Sequence, residues 1–239
     1  MRRCVQNFWP VVYILQAHLI IQGISQHSKL LTSHRSQESA DLVFLIDGSE
    51  NIGAANFPRA RDLALRVIEG LDLGRDAIRV AVVLYSDAPE ITHYLSSDKR
   101  SVLNAVKVLG FPGGDEANLG AALVEVVQST LSSNAGGRAE EGVNQILVVI
   151  SAGQSTDDFS EGERSVREAN IYTFGVAIGD EAAASLEAVV SDSSFVLKTP
   201  DLTNVASMRD QLLPYVRGVI QGTITLQREI SEGMYISHA

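Results

Sequence analysis

The residues with the clearest chemical potential lie between Asp47 and Asn51, directly after five consecutive apolar residues. An unbroken apolar run is typical of a parallel strand covered on both faces, and open α/β sheets bind ligands at the carboxyl ends of such strands. The Asp47 carboxylate and the Ser49 hydroxyl supply oxygen atoms, which Mg²⁺ and Ca²⁺ prefer as ligands. As an alternative, Asp47 can accept hydrogen bonds from backbone N–H groups around Gly48 and Ser49 and at the start of the following helix.

Enzymatic motifs are missing from the sequence. It contains neither Gly-x-Gly-x-x-Gly nor Gly-x-x-x-x-Gly-Lys-Ser/Thr, the two common nucleotide-binding fingerprints. His93 is the one histidine inside the predicted domain, on an edge strand at the opposite rim from Ser49, so a Ser-His-Asp triad is not expected. A secreted hydrolase with Ser49 as its nucleophile lacks a base, and we predict no catalytic residues and no small-molecule substrate.

Short apolar runs alternate with longer amphipathic stretches, which predicts repeated βα units. The predicted strands cover residues 42–46, 78–85, 90–95, 145–151, 171–178 and 194–197. The predicted helices cover residues 57–71, 101–109, 121–131, 161–170, 181–190 and 204–221. The connection at residues 86–89 is too short for a helical crossover, so the third strand must pair antiparallel. We therefore predict an α/β fold, a doubly wound and mostly parallel sheet with one antiparallel edge strand and helices on both faces.

The charge balance argues against nucleic acid as a partner. The chain has 19 Lys and Arg against 29 Asp and Glu, a net charge of -10, whereas nucleic-acid binding needs a basic surface. We interpret the excess of acidic residues as a contribution to solubility, and binding to a basic partner is the alternative interpretation. Cys4 is the only cysteine, so a disulfide within the chain and a cysteine-based zinc site are both excluded.

The first 25 residues are typical of a secretory signal peptide. Arg2 and Arg3 precede an apolar stretch at residues 8–24, which ends at the small residue Ser25. The alternatives are an error of gene prediction and a signal anchor, which requires about 20 residues of cleaner hydrophobicity. We predict a secreted chain with no membrane insertion after cleavage. Residues 26–39 form a flexible leader, 40–222 the folded domain, and 223–239 a linker or the truncated start of another segment, with a strand-like stretch at 223–226.

Three segments of the predicted domain resemble the metal-ion-dependent adhesion site of von Willebrand factor A domains. Residues 47–51 resemble Asp-x-Ser-x-Ser after the first strand of that family. Residues 113–123 resemble Gly-Gly-x-x-Thr-Asn-Thr-Gly-x-Ala-Leu, and residues 149–155 resemble Val-Ile-Thr-Asp-Gly-x-Ser. The resemblance covers residues 40–222 and implies the same α/β architecture.

This sequence departs from the family pattern in all three segments. Asn51 replaces the second Ser, Ala117 replaces the coordinating Thr, and Ala152 replaces the second Asp. The resemblance therefore implies a degenerate site in which Asp47, Ser49 and Asn51 are the remnant. We expect no cofactor and no bound metal beyond weak Mg²⁺, because one carboxylate, one hydroxyl and one amide leave most of the coordination shell to water. Replacement ligation by Asp115 or Glu116 stays open as an alternative.

Two further motifs resemble the amino-terminal A modules of collagen VI α3-type chains, Gly136 to Val143 and Leu212 to Val216. Such modules are extracellular and non-catalytic, and they contact other matrix proteins or neighbouring A modules. The resemblance implies a matrix interaction module that works without metal. The alternative is a metal-dependent, integrin-like adhesion domain that binds an acidic ligand residue through Mg²⁺ or Mn²⁺.

Overall fold

Strands and helices alternate along the chain from residue 40, as the sequence predicts. The computed structural model describes residues 38–226. The strands are β1 (Ala40–Asp47), β2 (Ile78–Tyr85), β3 (Pro89–Ser96), β4 (Asn144–Ser151), β5 (Tyr172–Ile178) and β6 (Val196–Thr199). The helices are α1 (Gly53–Glu69), α2 (Lys99–Lys107), α3 (Leu119–Glu125), α4 (Ser160–Glu168), α5 (Asp180–Val189) and α6 (Val205–Ile220). The predicted signal peptide, leader residues 26–37 and residues 227–239 lie outside the described residues.

The strands form one sheet in the order β3-β2-β1-β4-β5-β6. β3 runs antiparallel to β2, and all other neighbours are parallel. This topology confirms the predicted fold class. Because the chain winds outward from β1 on one side and from β4 on the other, the carboxyl ends of these two strands flank a crevice. Asp47 ends β1 at this crevice, and Ala152 directly follows β4.

Strand β1 is apolar throughout its middle because helices cover both faces of the sheet. Leu42, Phe44 and Ile46 pack with residues of α1, α2 and α6 on one face. Val43 and Leu45 pack with residues of α3, α4 and α5 on the other. All five side chains are 0% exposed, which explains the unbroken apolar run. Within residues 38–226, none of the helices is both long and apolar enough to cross a membrane.

Three of the differences from the predicted elements have a local cause in hydrogen bonding. The helix predicted over 121–131 is α-helical only to Glu125 and continues as a π-helical turn, Val126–Thr130, because the Leu131 amide donates to the Val126 carbonyl. The last strand starts at Val196 instead of residue 194, because Asp192 accepts from the Ser194 amide and forms a turn there. Residues 223–226 are not a strand, since the amides of residues 223 and 224 donate to the Gly218 carbonyl and close the end of α6.

The start of β1 and the end of α6 lie at the same end of the sheet, where the central parallel strands begin. Ala40 pairs with Asn144 at the beginning of β4, and the Asn144 side-chain amide donates to the Val219 carbonyl at 3.3 Å. The chain therefore enters β1 and leaves α6 at the edge opposite the crevice.

A buried ion pair fixes the loop before β4 to this same edge. Asp41 is 0% exposed and Arg138 is 4% exposed. The Arg138 Nε and Nη2 atoms donate to Asp41 Oδ1 at 2.9 and 2.7 Å, and the Arg138 amide donates to Asp41 Oδ2 at 2.7 Å. Nη2 also donates to the Ala77 carbonyl at 2.8 Å. The guanidinium thus connects β1, the start of β2 and the loop before β4.

The edge strand β3 pairs irregularly with β2. Its register shifts twice, between Val80 and Val82 and between Val82 and Val83, and the Thr92 hydroxyl donates to the Val82 carbonyl at 3.0 Å. Opposite Val82 lies His93, whose Nε2 atom is buried and has no hydrogen-bond partner within residues 38–226, although the ring as a whole is only partly buried. Burial lowers the pKa of His93 from 6.5, and the nearby Asp98 carboxylate partly offsets this.

We expect Arg138→Met to lower the free energy of unfolding by about 3–5 kcal/mol, because it leaves the Asp41 carboxylate buried without a cation. Urea denaturation at pH 7 measures this loss. Arg66→Met is the matched control, since the Arg66–Asp62 pair is 48% and 42% exposed and such pairs contribute about 0–1 kcal/mol. Equal losses in the two variants would show that the buried pair has no special role.

We expect His93 to make the fold acid-sensitive. Because its pKa is lower in the folded than in the unfolded chain, the folded state disfavours the proton, so stability is full above the unfolded value and falls as the pH drops below it. Urea denaturation between pH 5 and pH 8 should show this fall. His93→Gln does not titrate and should have a flatter profile; identical profiles would contradict the prediction.

Candidate functional site

The crevice at the ends of β1 and β4 brings together the three segments that resemble the adhesion site. The first segment pairs with the second, because the Gly113 amide donates to the Gly48 carbonyl at 2.9 Å and the Glu50 amide donates to the Gly114 carbonyl at 2.8 Å. The third segment joins through the Ala152 amide, which donates to Asp47 Oδ2 at 3.0 Å. The predicted site residues therefore share one location.

Asp47 is 0% exposed and accepts three hydrogen bonds. The Ser49 amide and hydroxyl donate to Oδ1 at 2.9 and 2.6 Å, and the Ala152 amide donates to Oδ2. The Gly48 amide donates to the Tyr85 carbonyl instead, and no side chain caps the start of α1. The expectation that Asp47 accepts from nearby backbone N–H groups is thus confirmed for Ser49 and wrong for Gly48 and for the following helix, because its second oxygen faces across the crevice to Ala152.

Burial determines the electrostatics at the base of the crevice. It raises the pKa of Asp47 from 3.8, and the hydrogen bonds from Ser49 and Ala152 partly offset this. Tyr85 pairs with Asp47 across the strands, and its hydroxyl donates to Ser151 Oγ at 2.9 Å. Burial, reinforced by the Asp47 charge, raises the pKa of Tyr85 well above 10.0.

The remaining predicted positions offer few oxygen ligands. Ala117 is 3% exposed and Ala152 is 4% exposed, and their methyl groups donate no electron pair. The Asn51 side chain packs over Gly153, where an added Cβ would lie 2.8 Å from Asn51 Cγ. Ser49 Oγ already donates to Asp47 and accepts from the Asn51 amide at 3.3 Å.

These residues do not fit a divalent cation, which needs about six oxygen ligands. Of the side chains considered as replacement ligands, Glu116 instead accepts from Asn118 Nδ2 at 2.9 Å, and Asp115 is exposed. Within residues 38–226, no three His, Cys, Asp or Glu side chains are grouped so that they could hold a metal ion.

Within residues 38–226, the Ser49 hydroxyl has no histidine base beside it. The Ser49 hydroxyl donates a hydrogen bond to the buried Asp47 carboxylate. His93 lies on β3, where it pairs with Val82 instead of approaching Ser49. A serine nucleophile needs a base in contact with its hydroxyl and a donor set for the developing oxyanion. The crevice supplies no histidine for the first of these roles.

Sequence reasoning missed two residues that hold the crevice loops together, Thr156 and Asp157. Thr156 Oγ1 accepts from the Ala117 amide at 2.8 Å, and the Asp157 carboxylate accepts from the amides of Gly120 and Ala121 at 2.9 and 2.8 Å. A Ser-Thr-Asp-Asp run between a glycine and a helix is a turn signal. Its partners lie 36 to 39 residues away, so the pairing itself could not be read locally.

The profile of the von Willebrand factor type A domain matches residues 41–211. The chain belongs to this family. The match covers β1 to the middle of α6 and includes all three crevice segments, so the family resemblance found in the sequence is confirmed.

The A domain is similar to parts of much longer matrix proteins. It is 29% identical to mouse collagen alpha-4(VI) chain over 178 residues, 73% of this chain and 8% of the collagen. It is 34% identical to human cochlin over 161 residues, 66% of this chain and 28% of cochlin. The expected relationship to collagen VI chains is thereby confirmed. The chain spans less than a third of either relative.

A solved structure with the same fold is that of proximal thread matrix protein 1 from the mussel byssus, described with a zinc-occupied MIDAS motif. The TM-score is 0.68 at 17% identity, over 75% of this chain and 48% of the mussel chain. At this identity the likeness shows the fold alone.

We expect Asp47→Ala to lower the free energy of unfolding by about 2–4 kcal/mol, because it leaves the buried amides of Ser49 and Ala152 without an acceptor. Ser49→Ala is the control and should cost only about 1–2 kcal/mol, since it removes the hydroxyl bond to Asp47 and the longer bond from the Asn51 amide but keeps the Ala152 contact. Urea denaturation in EDTA measures both. Equal effects would show that the Asp47–Ala152 contact contributes nothing.

Proposed function

We propose that this von Willebrand factor A domain is a non-catalytic protein–protein interaction module of the extracellular matrix that binds its partner without a divalent cation. Its relatives include matrix proteins such as collagen VI chains, which supports the matrix role. The metal-independent part of the proposal is supported by the side-chain atoms that the crevice offers to a metal ion. Buried methyl groups occupy positions 117 and 152, and protein donors already satisfy Asp47.

The charge of the crevice loops supports this proposal over the metal-dependent alternative. The loops that follow the carboxyl ends of the five parallel strands, together with the loop between α2 and α3, contain no Lys, Arg or His. They contain seven acidic residues: Glu50, Asp87, Asp115, Glu116, Asp157, Asp158 and Asp201. Without a cation between them, this edge and an acidic ligand residue repel each other. An acidic ligand residue would therefore need a bridging Mg²⁺ or Mn²⁺, and the alanines at positions 117 and 152 give such an integrin-like mode little support.

The proposed partners are other matrix proteins or neighbouring A modules, and the proposed location is the extracellular matrix. Both follow from the identity of the relatives and from the signal peptide predicted at residues 1–25. Contacts through an acidic surface become weaker as salt screens them, so the interaction should be salt-sensitive and chelator-insensitive.

The test measures binding of the purified domain to purified matrix proteins and A-domain fragments, in EDTA and in Mg²⁺ or Mn²⁺. We expect dissociation constants that agree within about twofold, because no bound cation contributes to affinity. Calorimetry of the domain with Mg²⁺, Mn²⁺ and Ca²⁺ should show no stoichiometric binding.

A variant that restores the family's ligands is the matched control. Asn51→Ser, Ala117→Thr and Ala152→Asp, combined in one chain, should bind Mg²⁺ by calorimetry if these positions are what the wild type lacks. Circular dichroism checks that the variant folds. Stoichiometric metal binding by the wild type that disappears in Asp47→Ala would contradict the proposal and support the metal-dependent alternative.

A further inference from the structure

The two loops that face each other across the crevice have little secondary structure, so other contacts must hold their backbones in place. One is residues 108–118 between α2 and α3, and the other is residues 152–159 between β4 and α4. Neither contains a helix or a full strand, so fixing their backbones costs about 1–2 kcal/mol for each residue. A cation shared between the loops would supply cross-links, but the crevice residues do not fit one. The contacts that replace it must come from the protein.

Thr156 binds both backbone groups of Ala117. Its Oγ1 accepts from the Ala117 amide at 2.8 Å, and its own amide donates to the Ala117 carbonyl at 3.0 Å. The same hydroxyl donates to Asn118 Oδ1 at 2.9 Å. The position where the family has a ligand side chain is therefore held through its backbone instead.

Asp157 extends this connection to the start of α3. One carboxylate oxygen accepts from the Gly120 amide and the other from the Ala121 amide, while Ser155 Oγ donates to the first at 2.7 Å. Helix α3 has no side-chain cap from its own N-cap residue, Asn118. Hydrogen bonds to an ionised carboxylate are stronger than neutral ones, so Asp157 is a strong contact between these loops.

Close approach of the backbones makes the contact possible. A Cβ added at Gly120 would lie 2.6 Å from the Asp158 carbonyl oxygen and 2.8 Å from Phe159 Cα. Any side chain at this position would push the two loops apart. Gly120 is buried, and its hydrogen bond to Asp157 is partly buried, whereas that of the Ala121 amide is exposed.

We propose that Thr156 and Asp157 form a cation-free clamp that holds residues 113–120 against residues 152–158 in one conformation. The clamp rests on the metal independence argued above and goes beyond it, because it assigns the positioning of the crevice loops to two named side chains. The Asp47–Ala152 hydrogen bond fixes the base of the second loop to β1. The surface formed by these loops thus has its binding conformation without a bound cation.

The adjacent carboxylate provides a control within the same loop. Asp158 accepts only from the Ser160 amide and hydroxyl, at 2.9 and 2.6 Å, and so makes no hydrogen bond to the opposite loop. Asp158→Asn changes the same charge as Asp157→Asn without touching the clamp. Thr156→Ser keeps the hydroxyl that Thr156→Val removes.

The test is amide hydrogen exchange, resolved by residue with NMR, on the full domain in EDTA. In Thr156→Val the Ala117 amide should exchange about tenfold faster, since it loses a hydrogen bond of typical strength. In Asp157→Asn one of the amides of Gly120 and Ala121 should do the same, because an asparagine side chain keeps one acceptor oxygen where the carboxylate has two. Amides in β1 and β4 should keep their rates. Thr156→Ser and Asp158→Asn should resemble the wild type.

Unchanged exchange of these three amides in the two clamp variants would overturn the proposal. Equal acceleration in β1 and β4 would also overturn it, because the side chains would then support the whole fold and not the loops. A separate arm adds Mg²⁺ to the wild type. If Mg²⁺ slows amide exchange in the wild type, the metal-independent function is contradicted. If the Thr156→Val and Asp157→Asn variants exchange like the wild type in EDTA, only the clamp is contradicted.

Discussion

The buried Asp47 carboxylate accepts three hydrogen bonds that fix the loops after the two central strands, and the geometry of the crevice depends on them. Ser49 supplies two of these bonds from the adjacent turn, and Ala152 supplies the third from the far side. A carboxylate has about four lone-pair positions, so the protein's own donors occupy most of them. What the family uses as a metal ligand serves here as a structural acceptor between β1 and β4.

Strand β1 carries a buried carboxylate at each end, and the two are stabilised differently. Asp41 faces the Arg138 guanidinium, which neutralises its charge and binds neighbouring carbonyls. Asp47 receives only neutral donors, and burial raises its pKa. The permanent ion pair therefore lies at the edge where the chain enters, and an uncompensated acid lies at the edge with acidic loops.

Most of the fold could be predicted from local pattern, and the contacts within the site could not. The run from Leu42 to Ile46 predicts a strand covered on both faces because that is the environment it occupies. The losses at positions 117 and 152 were visible as alanines against a family pattern. The acceptor roles of Thr156 and Asp157 were not, because their donors are backbone amides whose identity leaves no trace in sequence. The π-helical turn after Glu125 was missed for a similar reason, since its apolar spacing continues that of the helix.

The shared edge at which β1 begins and α6 ends determines how the domain can be joined to other segments. Ala40 and Val219 lie on either side of Asn144 at that edge. In a longer polypeptide, segments joined at these two ends leave the domain on the same side, away from the crevice.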